Sequence, residues 1–438
     1  MRLLFKVIIV FLIIFNWRVP YVYNSVSIAI ILLVIYYIYN KGAISLKFFF
    51  QRYNATILIA TIILGVIIFA IAVFHGTNVL SNLEKRVWVQ FMMLFAIVFS
   101  IPLLVEGEEE FAFEKISVII CYAFALQGLI HLTGFLFTPI GDFLFEMQPE
   151  VYKDAVMDPA RNLDRFRLYA LSGSVFFELP AAYGVACILF FRLLLIKDQK
   201  FISGWIQFAV LFFFIAGISL SGRTGFVGLG IGVFLWLLFS YQKLIDFVFK
   251  NGLKILLSVI FVIFAFNYLL SSSQRRAFTD ELFPFAFEAY YNWRDVGRIS
   301  TYSTDVNLSE KFYYYLRDET LFAGHGLERT NLTEVGYTTT DAGYMLSIIF
   351  GGIPFLICLM IYQSLYFIKP LQIANRGDTE YDRKDLWCLL LLFIYMFILH
   401  FKESAMGTLH IVETLLIVIG SSYLIRYYYR DSQEEKLK

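Results

Sequence analysis

The sequence predicts an all-α integral membrane protein that crosses the bilayer about twelve times. Hydrophobic residues make up 59% of the 438 residues, and the mean hydropathy of +0.70 excludes an ordinary soluble domain. Long apolar runs recur along the whole chain. Lysine and arginine collect in alternate loops between these runs, as in other polytopic membrane proteins. We therefore interpret residues 1–438 as a single transmembrane domain.

The predicted transmembrane helices are apolar runs close to the roughly 20 residues that a bilayer core requires. They lie near 3–16, 21–39, 55–74, 87–105, 114–137, 174–196, 202–220, 224–240, 253–271, 340–367, 385–401 and 408–426. The first run is short, which suits a tilted or interfacial helix. No small-residue cleavage site follows it, so we interpret it as a span and not as a signal peptide.

The distribution of basic residues predicts the orientation of the chain. An even number of spans places both termini on one side of the membrane. If that side is the cytoplasm, the inside segments hold 20 lysines and arginines and the short outside loops hold five. The five are Arg18, Lys85, Arg86, Arg223 and Lys402. The excess of positive charge inside predicts cytoplasmic termini and two long outside loops, at 138–173 and 272–339.

Several classes of binding protein are excluded by composition and motifs. The net charge of +1 gives no support for nucleic-acid binding. The sequence has neither a phosphate-binding loop nor the glycine pattern of a dinucleotide fold, and no cluster of metal-ligand residues. Each of the four cysteines lies within an apolar run, which argues against disulfides and metal sites. We therefore expect no cofactor and no metal.

The two long loops are rich in arginine, and the second loop also has aromatic clusters at 283–287, 290–293 and 312–315. Their arginines are Arg161, Arg165 and Arg167 in the first loop, and Arg275, Arg276, Arg294, Arg298, Arg317 and Arg329 in the second. The second loop is too apolar for disorder, so we predict short helices at the membrane surface. Their aromatic faces could stack on sugars or form a plain interfacial belt.

Arg223 interrupts the apolar run Trp205–Ser240. One straight helix of that length would be roughly 54 Å long, so we predict two spans joined by a turn at Ser221-Gly222. Arginine keeps its charge and must find an anionic partner, water or an anionic ligand. Arg223 therefore either reaches the lipid headgroups or clamps a phosphate. The glycines that follow are predicted to allow close helix packing: Gly225, Gly228, Gly230 and Gly232.

Glu178 lies about one turn inside the sixth predicted span, after a stretch that begins at Arg167. A carboxylate buried at that position must pair with a cation, bind a proton or take part in chemistry. Two interpretations follow. Glu178 forms a structural ion pair with Arg167 or Arg223, or it acts as a general base.

A third polar stretch leads from the second long loop back into the membrane. It contains Gly324-His325-Gly326, then Thr340-Asp341-Ala342-Gly343-Tyr344, and then Gly351-Gly352-Ile353-Pro354. Asp341 is a candidate catalytic acid, although a helix N-cap at Thr340 or Asp341 fits equally well. His325 between two glycines is a candidate base or a turn residue.

These three stretches resemble the Wzy-type O-antigen polymerases and the related O-antigen ligases of bacteria. The resemblance rests on Arg-Leu-x-x-Leu-Ser-Gly with Glu-x-Pro at 167–180, Ser-Gly-Arg-Thr-Gly at 221–225, and Gly-x-Gly, Asp-x-Gly-Tyr and Gly-Gly at 324–352. It covers roughly residues 160–365 and the twelve-span plan with two large periplasmic loops. The ligases usually carry histidine where this chain has Asp341, which favours the polymerases and leaves ligase open.

The resemblance implies an enzyme of the bacterial inner membrane with a periplasmic active site. Its donor would be a glycan on undecaprenyl diphosphate, its acceptor a lipid-linked repeat unit, and such systems often include a chain-length regulator protein as partner. No metal or nucleotide is required, because the donor already carries its leaving group. Arg223 and Arg298 would hold the diphosphate, with Arg294 or Arg275 as alternatives to Arg298. The other expected substrate-binding residues are Arg167 and Tyr344, and the candidate bases are Glu178, Asp341 and His325.

A flippase or transporter for the same lipid-linked sugar is the main competing hypothesis. It predicts basic residues buried at mid-membrane in both halves and a repeat between the halves. In this sequence the arginines of the two long loops lie outside the membrane, and the halves do not resemble each other. A purely structural membrane protein is a further alternative, against which the arginine-rich and aromatic loops argue.

Overall fold

The computed structural model describes most of the chain and is almost entirely helical over the described part. The described residues are 2–19, 23–39, 51–77, 80–148, 153, 167–173, 177–196, 204–241, 268, 272–276, 279–280, 284, 287–298, 301, 305, 315–327, 337, 340, 342–377, 380–401 and 410–437. Within these ranges the strands are two residues long, β1 (Arg18–Val19) and β2 (Tyr23–Asn24), and pair with each other. The predicted all-α class is confirmed.

The helices are labelled in chain order. Before the first long loop they are α1 (Arg2–Phe15), α2 (Ser25–Tyr39), α3 (Arg52–His75), α4 (Leu80–Val105) and α5 (Ala112–Leu136), with a 3₁₀ turn at Glu109–Phe111. Next come α6 (Thr138–Glu146), α7 (Glu178–Leu194), α8 (Gly204–Ser221) and α9 (Thr224–Tyr241). The remainder are α10 (Ser272–Arg276), α11 (Glu288–Val296), α12 (Asp318–Ala323), α13 (Gly343–Ala374), α14 (Glu380–Leu399) and α15 (His410–Leu437).

Seven of the described helices are long and apolar enough to cross a membrane, so the chain is a membrane protein. The seven segments are Arg52–His75, Val87–Val105, Glu109–Leu136, Gly204–Ser221, Thr224–Tyr241, Gly343–Ala374 and His410–Gln433. Large apolar side chains such as Val66, Phe69 and Phe74 are exposed along α3, as expected of a helix in contact with lipid.

The other predicted spans form helices that are shorter or begin with charged residues, or they lie outside the described residues. Helices α1, α2 and α7 have 14, 15 and 17 residues. Helix α14 has 20 residues, but five of its first six are charged. The span predicted at 253–271 lies outside the described residues except for Tyr268. The count of about twelve spans therefore remains a prediction.

The chain forms two compact units, of which the first comprises residues 1–16, 24–119 and 300–438. Helix α15 lies at the centre of this unit, where residues 411–426 are buried, and it packs against α4, α13 and α3. The contact with α3 depends on Gly420, where an added Cβ would lie 2.1 Å from the hydroxyl of Tyr53. Small residues thus let the helices approach each other closely.

Arg426, near the end of α15, joins three helices of the first unit through buried charges. Its guanidinium contacts Glu114 of α5 and Asp385 of α14, and both carboxylates have 0% side-chain exposure. Tyr381 also donates a hydrogen bond to Glu114 at 2.6 Å. Buried acids that stay ionised require a cation, because an isolated buried charge is very unfavourable.

The second unit comprises residues 17–23 and 120–299 and is organised around α7, which is buried along nearly its whole length. Helix α9 packs against it through three of the predicted glycines. An added Cβ would lie 2.8 Å from the Pro180 carbonyl at Gly225, 2.2 Å from the Gly184 Cα at Gly228, and 3.0 Å from the Cys187 carbonyl at Gly232. At Gly230 nothing lies within 4 Å. The packing role is confirmed for three of the four glycines.

Candidate functional site

The predicted turn between α8 and α9 is present, and Arg223 lies in it. Helix α8 ends at Ser221, and Gly222 follows with a backbone φ of 155°. Residues other than glycine rarely adopt this conformation. Helix α9 begins at Thr224, and the Phe226 amide donates to the Arg223 carbonyl at 3.0 Å. The backbone thus holds the Arg223 side chain at the junction of two membrane-length helices.

Arg223 forms an ion pair with Glu288, the first residue of α11. The two side chains are 14% and 23% exposed, so the pair is largely shielded from solvent. Burial, together with the positive charge of Arg167, lowers the pKa of Arg223 to about 10. The guanidinium therefore stays protonated at neutral pH. Glu288 was not among the predicted site residues.

Arg167 lies at the same turn. Its Nε donates a hydrogen bond of 2.8 Å to the carbonyl oxygen of Ser221, which is left without an intrahelical partner at the end of α8. Two arginines and one glutamate therefore meet at this helix junction. A second cation beside Arg223 favours an anionic ligand with more than one negative charge.

Glu178 begins α7, and its side chain is buried, with 1% exposure. The carbonyl of Pro180, two residues later, faces Gly225, two residues after Arg223. Glu178 and Arg223 therefore lie at the same end of the packed helices α7 and α9. The structure thus places three predicted residues, Arg167, Glu178 and Arg223, at one end of these packed helices, where Glu288 pairs with Arg223.

Arg294 and Arg298, two of the predicted diphosphate-binding arginines, lie toward the far end of α11. Arg294 is exposed and forms an ion pair with Asp295, which raises the pKa of Arg294 and lowers that of Asp295. Arg298 is exposed and follows Gly297, whose φ of 72° ends the helix. About 12 Å of helix separates Glu288 from Val296, so α11 presents Glu288, and not these arginines, to Arg223.

His325 belongs to the first unit and lies beside a break in α13. Helix α13 loses helical geometry at Gly351 and Gly352, and Pro354 has no amide hydrogen to donate to the Phe350 carbonyl. The backbone amides of His325 and Gly326 donate to the Ile349 and Phe350 carbonyls at 2.7 and 2.8 Å. The Gly324-His325-Gly326 motif and the Gly351-Gly352 motif thus form one structure. The amides of the first motif donate hydrogen bonds to the carbonyls that lack helical partners at the break in α13.

The His325 ring lies 2.8 Å from the Thr320 hydroxyl through Nε2. Burial lowers the pKa of His325 below its ordinary value of 6.5, and the positive charge of His75 lowers it further. The ring is therefore neutral at pH 7 and can accept a proton.

Tyr344 and Thr340 also belong to the first unit. The Tyr344 hydroxyl donates to the Phe397 carbonyl at 2.9 Å, and its ring lies 5.3 Å from the ring of His400. Thr340 Oγ1 accepts the amide of Ala342 at 3.1 Å, just before α13 begins. The N-cap of α13 is Ala342, without a side-chain capping bond, so the predicted N-cap at Thr340 is wrong and its hydroxyl instead closes a local turn. Asp341 lies outside the described residues.

The predicted site residues thus fall into two groups. Arg167, Glu178 and Arg223 share one helix end of the second unit, whereas His325 and Tyr344 belong to the first unit. A comparison with protein families finds no family that matches the chain, and a comparison with curated proteins finds no significant match.

Proposed function

We propose that this protein is a polyprenyl-diphosphate-dependent glycosyltransferase of the Wzy type, an O-antigen or similar surface polysaccharide polymerase. The observation that carries the proposal is the cluster of Arg167, Glu178 and Arg223 at one end of the packed helices α7, α8 and α9. Two guanidinium groups suit the paired phosphates of a lipid diphosphate, and the membrane-length helices beside them suit its apolar chain.

The reaction that fits this cluster is a glycosyl transfer between two lipid-linked sugars. An acceptor hydroxyl attacks the anomeric carbon of the donor glycan, the bond from that carbon to the diphosphate breaks, and the diphosphate leaves with the bonding electrons. Arg223 and Arg167 stabilise the negative charge that develops on the leaving group. The hydroxyl proton passes to a base, for which Glu178 is the candidate at the same helix end as the arginines, and Asp341 and His325 are the alternatives.

Glu288 has a distinct role in this proposal. It neutralises Arg223 while no substrate is bound, and an incoming diphosphate must displace it to reach the guanidinium. The arginine is thereby held in place at a modest cost in affinity, as expected for a preorganised anion site. The aromatic residues of α11, which include Tyr290, Tyr291 and Trp293, provide surfaces on which sugar rings can stack.

The proposed topology has about twelve spans with both termini in the cytoplasm and the Arg223 turn at the periplasmic face of a bacterial inner membrane. The support for this orientation is the ratio of 20 basic residues inside to five in the short outside loops. A cysteine accessibility map would test it. Thr224→Cys is expected to react with a membrane-impermeant thiol reagent added to intact spheroplasts. Ser432→Cys is expected not to react.

Reconstitution tests the activity against its alternatives. The purified protein is placed in liposomes with lipid-linked repeat units and without nucleotide. A ladder of longer glycans supports a polymerase. Transfer of sugar onto lipid A-core would indicate a ligase instead, and movement of the lipid-linked sugar across the bilayer without a new product would indicate a flippase.

A further inference from the structure

A network of buried polar side chains joins four helices of the first unit and the residue that follows α14 around Glu413, and none of its members belongs to the site proposed above. Its members are Tyr53 and Thr61 of α3, Gln90 of α4, Tyr362, Gln363 and Tyr366 of α13, His400 after α14, and Glu413 of α15. Thr61 lies near the middle of its helix, and Gln363 lies near the middle of the part of α13 that follows the break. The network therefore lies within the membrane-spanning part of the unit.

The amide groups of Gln90 and Gln363 both face the Glu413 carboxyl. Gln90 Nε2 donates to one carboxyl oxygen, and Gln363 Nε2 donates to the other at 3.4 Å. Gln90 Nε2 also donates to the Tyr362 hydroxyl at 2.8 Å, and that hydroxyl lies 2.7 Å from the hydroxyl of Tyr366. Every one of these partners is electrically neutral.

His400 is linked to Glu413 through the side-chain amide of Gln363. His400 Nε2 lies 2.6 Å from Gln363 Oε1, and an amide oxygen can only accept, so Nε2 carries the hydrogen. His400 Nδ1 then bears a lone pair, and within the described ranges this buried atom has no hydrogen-bond partner. A chain of hydrogen bonds thus runs from a buried imidazole through Gln363 to a buried carboxyl.

No lysine or arginine of the described residues forms an ion pair with Glu413, although the side chain is only 2% exposed. The contrast with Glu114 and Asp385 is direct, because those equally buried carboxylates share the guanidinium of Arg426. An ionised carboxylate surrounded by neutral groups in the membrane is strongly disfavoured, and binding a proton removes the charge. The facing titratable groups are Tyr362 and Tyr366 of α13 and His400, and none of them supplies a positive charge while His400 is neutral.

We propose that Glu413 is a proton-binding site within the membrane, occupied at neutral pH and connected to His400 through Gln363. A metal cation is a poorer ligand for this site, because the two carboxyl oxygens already accept hydrogen bonds from two amide NH₂ groups, which cannot coordinate a cation. Buried acids and histidines joined in this way are typical of proton relays in membrane proteins. The proposal does not depend on the glycosyltransferase activity.

Infrared spectroscopy of the purified protein tests the protonation state directly. At neutral pH, the wild-type spectrum minus that of Glu413→Gln should contain the carbonyl band of a protonated carboxylic acid. The matched control Glu106→Gln removes a half-exposed carboxylate that pairs with Lys6, and should remove no such band. A Glu413 difference that contains carboxylate bands alone would overturn the proposal.

Carbodiimide labelling of the wild-type protein gives a second readout that needs no variant. Dicyclohexylcarbodiimide adds to protonated carboxyl groups in apolar surroundings, so peptide mass spectrometry should find the label on Glu413 and not on Glu114 or Asp385. Above the midpoint of its titration, labelling should fall about tenfold for each pH unit. Protection of Glu413 by sodium ions at constant pH would identify a cation site and contradict the proposal.

Discussion

Removal of the Glu288 charge should tighten the binding of an isoprenyl diphosphate. In the structure the Glu288 carboxylate forms an ion pair with the Arg223 guanidinium, and the two side chains are 23% and 14% exposed. A hydrogen-bonded ion pair shielded to this extent is stronger than a surface pair, which contributes at most about 1 kcal/mol, and weaker than a fully buried one. We estimate that displacing Glu288 costs the ligand about 1–2 kcal/mol, which corresponds to a factor of about 5 to 30 in affinity.

Isothermal titration of detergent-solubilised protein with farnesyl diphosphate measures this effect. Glu288→Gln should bind about 5- to 30-fold more tightly than the wild type. The matched control is Glu146→Gln, which breaks the 2.9 Å ion pair with Lys153 in the same unit and should leave the affinity unchanged. Unchanged or weaker binding by Glu288→Gln would refute the competition between Glu288 and the diphosphate.

Four further outcomes are expected. Arg223→Ala should lower polymerising activity in liposomes by about 100- to 1,000-fold, and Arg223→Lys should restore only part of it, because lysine lacks the bidentate geometry. Gly228→Ala should lower the melting temperature in detergent, because the new Cβ would lie 2.2 Å from a backbone atom of Gly184 and overpacking costs about 1–3 kcal/mol. The control Gly230→Ala should leave the melting temperature unchanged, because nothing lies within 4 Å of its new Cβ. Arg426→Gln should destabilise the protein by about 3–5 kcal/mol in denaturant titration, because two buried carboxylates lose their cation. Because the pKa of His325 is lowered by folding, the unfolded chain binds more protons than the folded protein in mild acid. The stability that depends on neutral His325 should therefore be complete above about pH 6.5 and should be lost as the pH falls toward the folded pKa, which the melting temperature measured against pH will show.

Defined results would contradict the expectations for Arg223, for the two glycines and for His325. Full activity of Arg223→Lys would remove the argument from bidentate geometry, and full activity of Arg223→Ala would assign the residue to packing or to headgroup contacts. Equal melting temperatures for Gly228→Ala and Gly230→Ala would show that α9 does not press on α7. The pH effect should be absent in His325→Gln, and an unchanged pH profile of the melting temperature in that variant would exclude this histidine as its source.

The features that the sequence predicts well are local ones. Apolar runs mark most of the helices, since a membrane-length helix needs a continuous apolar segment of its own. The turn at Arg223 follows from the excessive length of the run and from Gly222. The packing role of the glycines at 225, 228 and 232 follows from their spacing, although only the structure shows that Gly230 faces away from α7.

The features that the sequence does not disclose depend on partners far apart in the chain. Helix α13 was predicted as one span at 340–367, and its break at Gly351 is stabilised by amides more than 20 residues earlier, at His325 and Gly326. Glu288 meets Arg223 across 65 residues, and nothing in its aromatic surroundings marks it as the partner. A single glutamate in an apolar run was the available signal for Glu413, whose partner Gln90 lies 323 residues away.

The most direct test of the central claim is a structure of the protein with an isoprenyl diphosphate bound. Our account predicts diphosphate oxygens within hydrogen-bond distance of the Arg223 and Arg167 guanidinium groups, with Glu288 displaced from Arg223. A diphosphate bound elsewhere, with the ion pair between Arg223 and Glu288 intact, would contradict it.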